Sequence, residues 1–188
     1  MNKRIIDYKN FFFVGIGGIG MSALARYFNS FGKKVAGYDK NSSLLTHTLN
    51  DEGCQVAYED HLDKIPKTHL SIEDTLVVYT PAIPKEHRQL QYFQEKNFQV
   101  LKRSEVLGLI TRFNKALCVA GTHGKTTTSA MLAHVLSLTD YGCSAFLGGI
   151  SSNFNSNVLV NKQSEWTVVE ADEFDRSFLH LSPFISII

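Results

Sequence analysis

No charge of either sign dominates this chain of 188 residues, in which 19 Lys and Arg stand against 18 Asp and Glu. That balance, with no basic stripe interleaved with aromatics, removes the electrostatic case for a nucleic-acid partner. Cysteine is scarce, and the three present, Cys54, Cys118 and Cys143, are odd in number and far apart. They match neither a disulfide framework nor a zinc site, which leaves reduced, partly buried thiols. No apolar run approaches the roughly 18 to 20 residues of a membrane span. The basic start Met1-Asn2-Lys3-Arg4 leads to an apolar stretch from Phe11, but that stretch breaks at Gly15. It meets no small-residue cleavage site, so it reads poorly as a signal peptide. A cytoplasmic protein without a membrane partner is expected. What the chain does have is apolar content, 44% of its residues. That is enough to fill the core of one ordinary domain or two small ones.

The apolar residues fall into short runs separated by helical patterns. Phe11 to Val14 reads as a strand, Met21 to Phe31 as a helix, and Lys34 to Tyr38 as a second strand. Ser42 to Asn50 reads as a helix with Leu44, Leu45, Thr48 and Leu49 on one side, and Cys54 to Ala57 as a third strand. Residues 59–74 read as loop or short helix. Thr75 to Tyr79 is a strand, Pro84 is expected to open a helix running to about Lys96, and Phe98 to Leu101 is a strand. Ser104 is expected to cap a helix over Glu105 to Arg112. The pattern then restarts: Ala116 to Ala120 a strand, Thr127 to Leu138 a helix, Ala145 to Leu147 a strand, and residues 151–157 a polar loop. Trp166 to Val169 and Phe184 to Ile188 are further strands. The expectation is an α/β protein, a Rossmann-like parallel-sheet domain (1–106) followed by a truncated P-loop α/β domain (107–188). The sequence stops inside the apolar run Phe184-Ile185-Ser186-Ile187-Ile188, where a frayed polar terminus would be usual. The chain is therefore expected to be the front part of a longer protein, and an open strand of this kind invites self-association.

The strongest local signal is Gly121-Thr122-His123-Gly124-Lys125-Thr126-Thr127-Thr128, set between a strand and a helix. Glycines let consecutive amides face one point, and the following helix offers its free N–H groups and positive dipole end to an anion. Lys125 supplies a point charge for terminal phosphates, and the Thr126 hydroxyl is a magnesium ligand in such loops. The strict pattern has a further glycine where Val119 stands, so this loop is a short form. Glu170, at the end of the strand Trp166 to Val169, is the candidate that complements Thr126 on the metal; Asp172, Glu173 and Asp175 are weaker candidates.

A second glycine cluster, Gly15-Ile16-Gly17-Gly18-Ile19-Gly20, satisfies GxGxxG, and Asp39 follows the next strand. Alone it reads as a dinucleotide fingerprint, with phosphate over a helix N-terminus and an acid reaching a ribose. Two phosphate-binding features in one chain suit a ligase or kinase whose substrate carries its own nucleotide handle. They suit a nicotinamide oxidoreductase less.

Taken together, Gly15 to Ser22, Tyr79 to Pro84, Gly121 to Thr128, and Glu170 to Asp175 followed by Ser177 to Pro183 resemble the Mur ligases of peptidoglycan synthesis. The resemblance implies a three-domain enzyme whose first domain binds the UDP part of the substrate and whose central domain binds ATP. Gly15, Gly17, Gly18, Gly20, Met21, Ser22, Asp39, Thr80, Pro81 and Ala82 would line the UDP pocket. Gly121, Thr122, His123, Gly124, Lys125, Thr126 and Thr127 would hold ATP, Thr126 and Glu170 would ligate Mg2+, and His123 matches a characteristic position of open role. The short loop with Val119 is the family's own form. Within the family the resemblance is to members that join L-alanine to the lactyl carboxylate of UDP-N-acetylmuramate through an acyl phosphate. Members that reattach recycled murein peptide are the near alternative. A dinucleotide-binding oxidoreductase, or a non-catalytic nucleotide-binding module, is the reading from another class. Residues 1–188 alone are expected to lack ligase activity.

Overall fold

The computed structural model describes residues 3–188, apart from the side chains of Phe174 and Asp175. The chain divides into two compact units, Met1–Arg103 and Ser104–Ile188.

The first unit is built on strand β1 (Asn10–Val14), helix α1 (Ile19–Ser30), β2 (Lys34–Tyr38), α2 (Leu44–Asp51), β3 (Gln55–Ala57), β4 (Thr75–Tyr79), α3 (Arg88–Glu95) and β5 (Gln99–Lys102). The five strands form one sheet in the order β3-β2-β1-β4-β5, and every neighbouring pair is parallel. The central strand β1 is buried throughout, and its two faces are covered differently. Phe11 stacks on Phe28 of α1 with ring centroids 3.8 Å apart. Phe12, pointing the other way, joins Phe93, Phe98, Leu90, Val77 and Ile65 in the core under α3. Alternation along one strand thus serves two helical layers.

Three local expectations need correction. The side of α2 turned inward carries Thr46 and Leu49, while Leu44 is exposed. A reciprocal cap explains this: the Thr46 amide donates to Ser43 Oγ and the Ser43 amide donates to Thr46 Oγ1, which draws Thr46 inward. Pro84 does not open α3. The helix begins at Arg88, because Asp60 accepts from the amides of Arg88 and Gln89 at 2.8 and 3.0 Å and His87 Nδ1 accepts from Leu90. Nor is Ser104 a cap. Strand β5 runs without a loop into α4 (Arg103–Phe113), and Ser104 is buried inside that helix.

Two histidines of the first unit are buried, His69 against the edge of the Phe12 ring and His87 against Tyr38. Burial lowers the pKa of both below the ordinary 6.5. As pH falls below 6.5 the unfolded chain therefore takes up protons that the folded unit refuses, and stability drops until the folded groups titrate. Each histidine contributes at most about 1.4 kcal/mol per pH unit. Urea denaturation at pH 7.5 and 5.5 is expected to show the loss, and a flat profile would contradict it.

The second unit continues with β6 (Lys115–Val119), α5 (Lys125–Ser137), β7 (Ser144–Ser151), β8 (Ser156–Leu159), β9 (Trp166–Glu170) and β10 (Ile185–Ile187). Its sheet runs β10-β6-β9-β7-β8. Pairing is parallel except between β7 and β8. The sheet is therefore mixed, and residues 151–157 are not simply a loop. β7 passes through Gly148 and Gly149 to Ser151, and β8 begins at Ser156, so the polar stretch is the tip of a hairpin. Apolar α5 and β7 residues, with Leu117 and Val168, form the core here.

All three cysteines are free and buried. Burial pushes the Cys54 thiol up to about 12 and those of Cys118 and Cys143 to about 11, so none is a ready nucleophile. Among the described residues no helix is long and apolar enough to cross a membrane.

Candidate functional site

The first glycine turn joins β1 to α1. The amides of Gly15 and Ile16 bond to the Tyr38 carbonyl at 2.7 and 2.9 Å, which anchors the turn to the end of β2. Asp39, the next residue, accepts from the Gly17 amide at 2.7 Å and from Asn41 at 3.1 Å. Its carboxylate braces the turn, so any contact with a ligand would be made from a side chain already tied to the loop. A Cβ on Gly17 would lie 2.8 Å from that carboxylate, and one on Gly15 would lie 2.7 Å from the Thr80 methyl. Thr80 thus reaches the turn, and Pro81 and Ala82 follow it in an exposed turn. Met21 and Ser22 are buried, and the Ser22 hydroxyl donates to the Ile19 carbonyl. They shape the start of α1 and do not present side chains outward.

The sequence reading missed Arg103. Its guanidinium lies over Gly20, where a Cβ would come within 2.8 Å of Nη1. The signal was present, a cation at the strand-to-helix junction of β5 and α4, but nothing in the linear order ties it to residue 20.

The second glycine loop joins β6 to α5. Gly121 has φ +137° and Gly124 +80°, backbone states that side chains with a Cβ rarely adopt, and Gly124 caps the helix. Lys125 opens α5 and folds back. Its Nζ donates to the Gly121 carbonyl at 2.6 Å and pairs with Glu173 at 2.9 Å. The hydrogen bond from Lys125 holds the exposed Glu173 carboxylate below the usual carboxylate range. Thr122, His123, Thr126 and Thr127 are exposed along the loop and first turn.

Parallel pairing sets Val119, the last residue of β6, opposite Glu170 at the end of β9. That register carries the Glu170 carboxylate to the helix start, where Thr126 Oγ1 donates to Oε2 at 3.1 Å. The other oxygen accepts from Ser129 at 3.1 Å and from the Gly148 amide at 2.7 Å. Cis ligands of an octahedral magnesium, with bonds of about 2.1 Å, lie about 3 Å apart. The Thr126–Glu170 pair fits that spacing. Among the described residues no group of three or more His, Cys, Asp and Glu could hold a metal. Asp172 accepts at its backbone carbonyl from Phe178, and the Asp175 side chain lies outside the described residues. Beside Thr126, between α5 and the far half of β7, a groove of about 360 Å³ is lined by Met131, His134, Gly149, Ile150 and Asn153 among others. That is ample for a ligand larger than phosphate.

Residues 10–115 match the family described as Mur ligase family, catalytic domain. The chain is 56% identical over 180 residues to a UDP-N-acetylmuramate–L-alanine ligase of Porphyromonas gingivalis, covering 96% of this chain and 40% of that one. Among solved structures, a UDP-N-acetylmuramate–alanine ligase of Thermotoga maritima superposes with TM-score 0.78 at 30% identity, over 93% of this chain and 39% of the other. The UDP-N-acetylmuramate:L-alanyl-γ-D-glutamyl-meso-diaminopimelate ligase of Neisseria meningitides gives 0.81 at 26%, over 95% and 59%. The chain thus spans about 40% of the length of the curated relatives it matches. A turn braced by Asp39 on a parallel sheet, a glycine loop with the Glu170 carboxylate at its helix start on a mixed one, and the match over residues 10–115 lead to one assignment: the chain belongs to the Mur ligase family.

Proposed function

We propose that the intact protein is an ATP-dependent ligase that joins L-alanine to the lactyl carboxylate of UDP-N-acetylmuramate in the cytoplasm. The observation that carries this reading is the 3.1 Å contact of Thr126 with Glu170 at the start of a phosphate-loop helix. Relatives named for this reaction, at 56% identity, favour L-alanine over a recycled peptide as the amine. The first unit, extended to residue 106, would take the UDP end of the substrate at the α1 turn, and residues 107–188 would take ATP.

In this scheme the loop amides and Lys125 hold the β- and γ-phosphates. A substrate carboxylate oxygen attacks the γ-phosphorus as the bond to ADP breaks, giving an acyl phosphate. The amine of L-alanine then attacks the acyl carbon, loses a proton, and inorganic phosphate leaves. Lys125 balances charge on the transferring oxygens, while Thr126 and Glu170 would hold Mg2+, which supplies further charge neutralisation when bound. No nucleophilic side chain is needed, in accord with the three buried thiols. Residues 1–188, about 40% of the length of such ligases, are expected to lack ligase activity alone.

Glu170→Gln keeps the shape of the side chain and removes its charge. In the intact protein it is expected to raise the magnesium concentration for half-maximal turnover by roughly 100-fold or more. An unchanged magnesium dependence would remove Glu170 from the site.

A further inference from the structure

We propose that Ser129 is a positioning residue for the metal carboxylate, its buried hydroxyl and the Gly148 amide together gripping one oxygen of Glu170 so that the other faces Thr126. The inference rests on the reading of Thr126 and Glu170 as the magnesium pair. Ser129 lies four residues after Lys125 on α5, one turn below the phosphate loop on the same face. It is fully buried, so its hydroxyl can neither reach ATP nor be satisfied by bulk water. Its Oγ lies 3.1 Å from Glu170 Oε1, 2.8 Å from the Lys125 carbonyl and 3.2 Å from the Thr126 carbonyl. One proton serves three acceptors, and the ionised carboxylate is the strongest of them.

The grip matters because the terminal torsion of a glutamate is broad. A single hydrogen bond would leave the carboxylate plane free to swing. Here the Gly148 amide, 2.7 Å away on β7, meets Oε1 as well, and Oε2 is left turned toward Thr126. Gly148 has its own reason to lack a side chain: a Cβ there would lie 2.6 Å from Oε2 and 3.1 Å from Oε1. Helix α5 and strand β7 thereby hold Glu170 from two sides, and neither donor occupies the oxygen intended for the metal.

The test is calorimetric titration of the intact protein with ATP, once with excess magnesium and once with a chelator, alongside the thermal unfolding midpoint. Wild type should bind ATP more tightly with magnesium. Ser129→Ala should lose about tenfold of the magnesium-dependent affinity and keep its metal-free affinity, while its midpoint falls only by what the loss of one hydrogen bond to a carboxylate costs. Gly148→Ala should reproduce the selective loss by pushing on the carboxylate. If Ser129→Ala weakens both titrations equally, or neither, Ser129 is structural and the proposal fails; a Gly148→Ala protein with wild-type magnesium dependence also defeats it. Should wild type itself bind ATP equally with and without magnesium, the metal pair is misassigned, and the proposal falls with it for a distinguishable reason.

Discussion

Lys125→Ala in the intact protein is expected to lower turnover by about 10³-fold, roughly 4 kcal/mol of transition-state stabilisation, while binding of the UDP-linked substrate is unchanged. The size follows from position. Lys125 is the first residue of α5, its side chain is mostly buried, and its Nζ is already fixed over the loop by the Gly121 carbonyl and Glu173. A preorganised cation of this kind needs no reorientation when charge develops on the transferring oxygens. Removing it leaves the loop amides and the helix dipole, which retain part of the phosphate affinity. The UDP end of the substrate should not register the change, because the turn assigned to it belongs to the first unit. Steady-state kinetics with a separate binding titration of UDP-N-acetylmuramate would measure both halves. Near-wild-type turnover would show that Gly121 to Thr126 is not the triphosphate site.

Phe12→Ala should cost the first unit about 3–5 kcal/mol of stability. Phe12 is 1% exposed on the central strand and packs against Phe93, with ring centroids 4.9 Å apart, and edge-on to His69. β1 is held in register on both sides, by β2 and by β4, so the void cannot close by shifting the strand. Against a typical domain stability of about 5–15 kcal/mol this removes a large part. Urea denaturation followed by a probe in the first unit is the measurement; a loss below about 1 kcal/mol would place Phe12 outside the core.

The parts of this molecule legible in the sequence were those written in short apolar runs and glycine turns. β2 and β4 coincide with the runs Lys34 to Tyr38 and Thr75 to Tyr79, because a strand covered on both faces leaves a continuous apolar signature. The misread features depend on partners remote in sequence. The start of α3 is set by Asp60, 28 residues before Arg88, and no local reading from Pro84 would find it. The hairpin of β7 and β8 carries Gly148, Gly149 and a polar tip, which locally resemble a loop; their strand character comes from pairing.

At the candidate site the same division holds. Lys125, Thr126 and Glu170 could be named because their residue types sit at recognisable strand ends. Ser129, Gly148 and Arg103 could not, since each acts through a neighbour that the fold brings from elsewhere. Met21 and Ser22, named by motif, face inward because the helical period that follows the glycine turn puts them on the buried side of α1.

Glu173, 2.9 Å away, balances the charge of Lys125. The lysine is engaged by a carboxylate and a carbonyl, and its side chain is mostly buried. On the proposed reading, a triphosphate entering the loop would replace one anion with another, and Glu173, the exposed member of the pair, would be the one returned to solvent. In this sense the loop would carry its own counter-ion, and ligand binding would be an exchange of partners on a lysine that is already aimed.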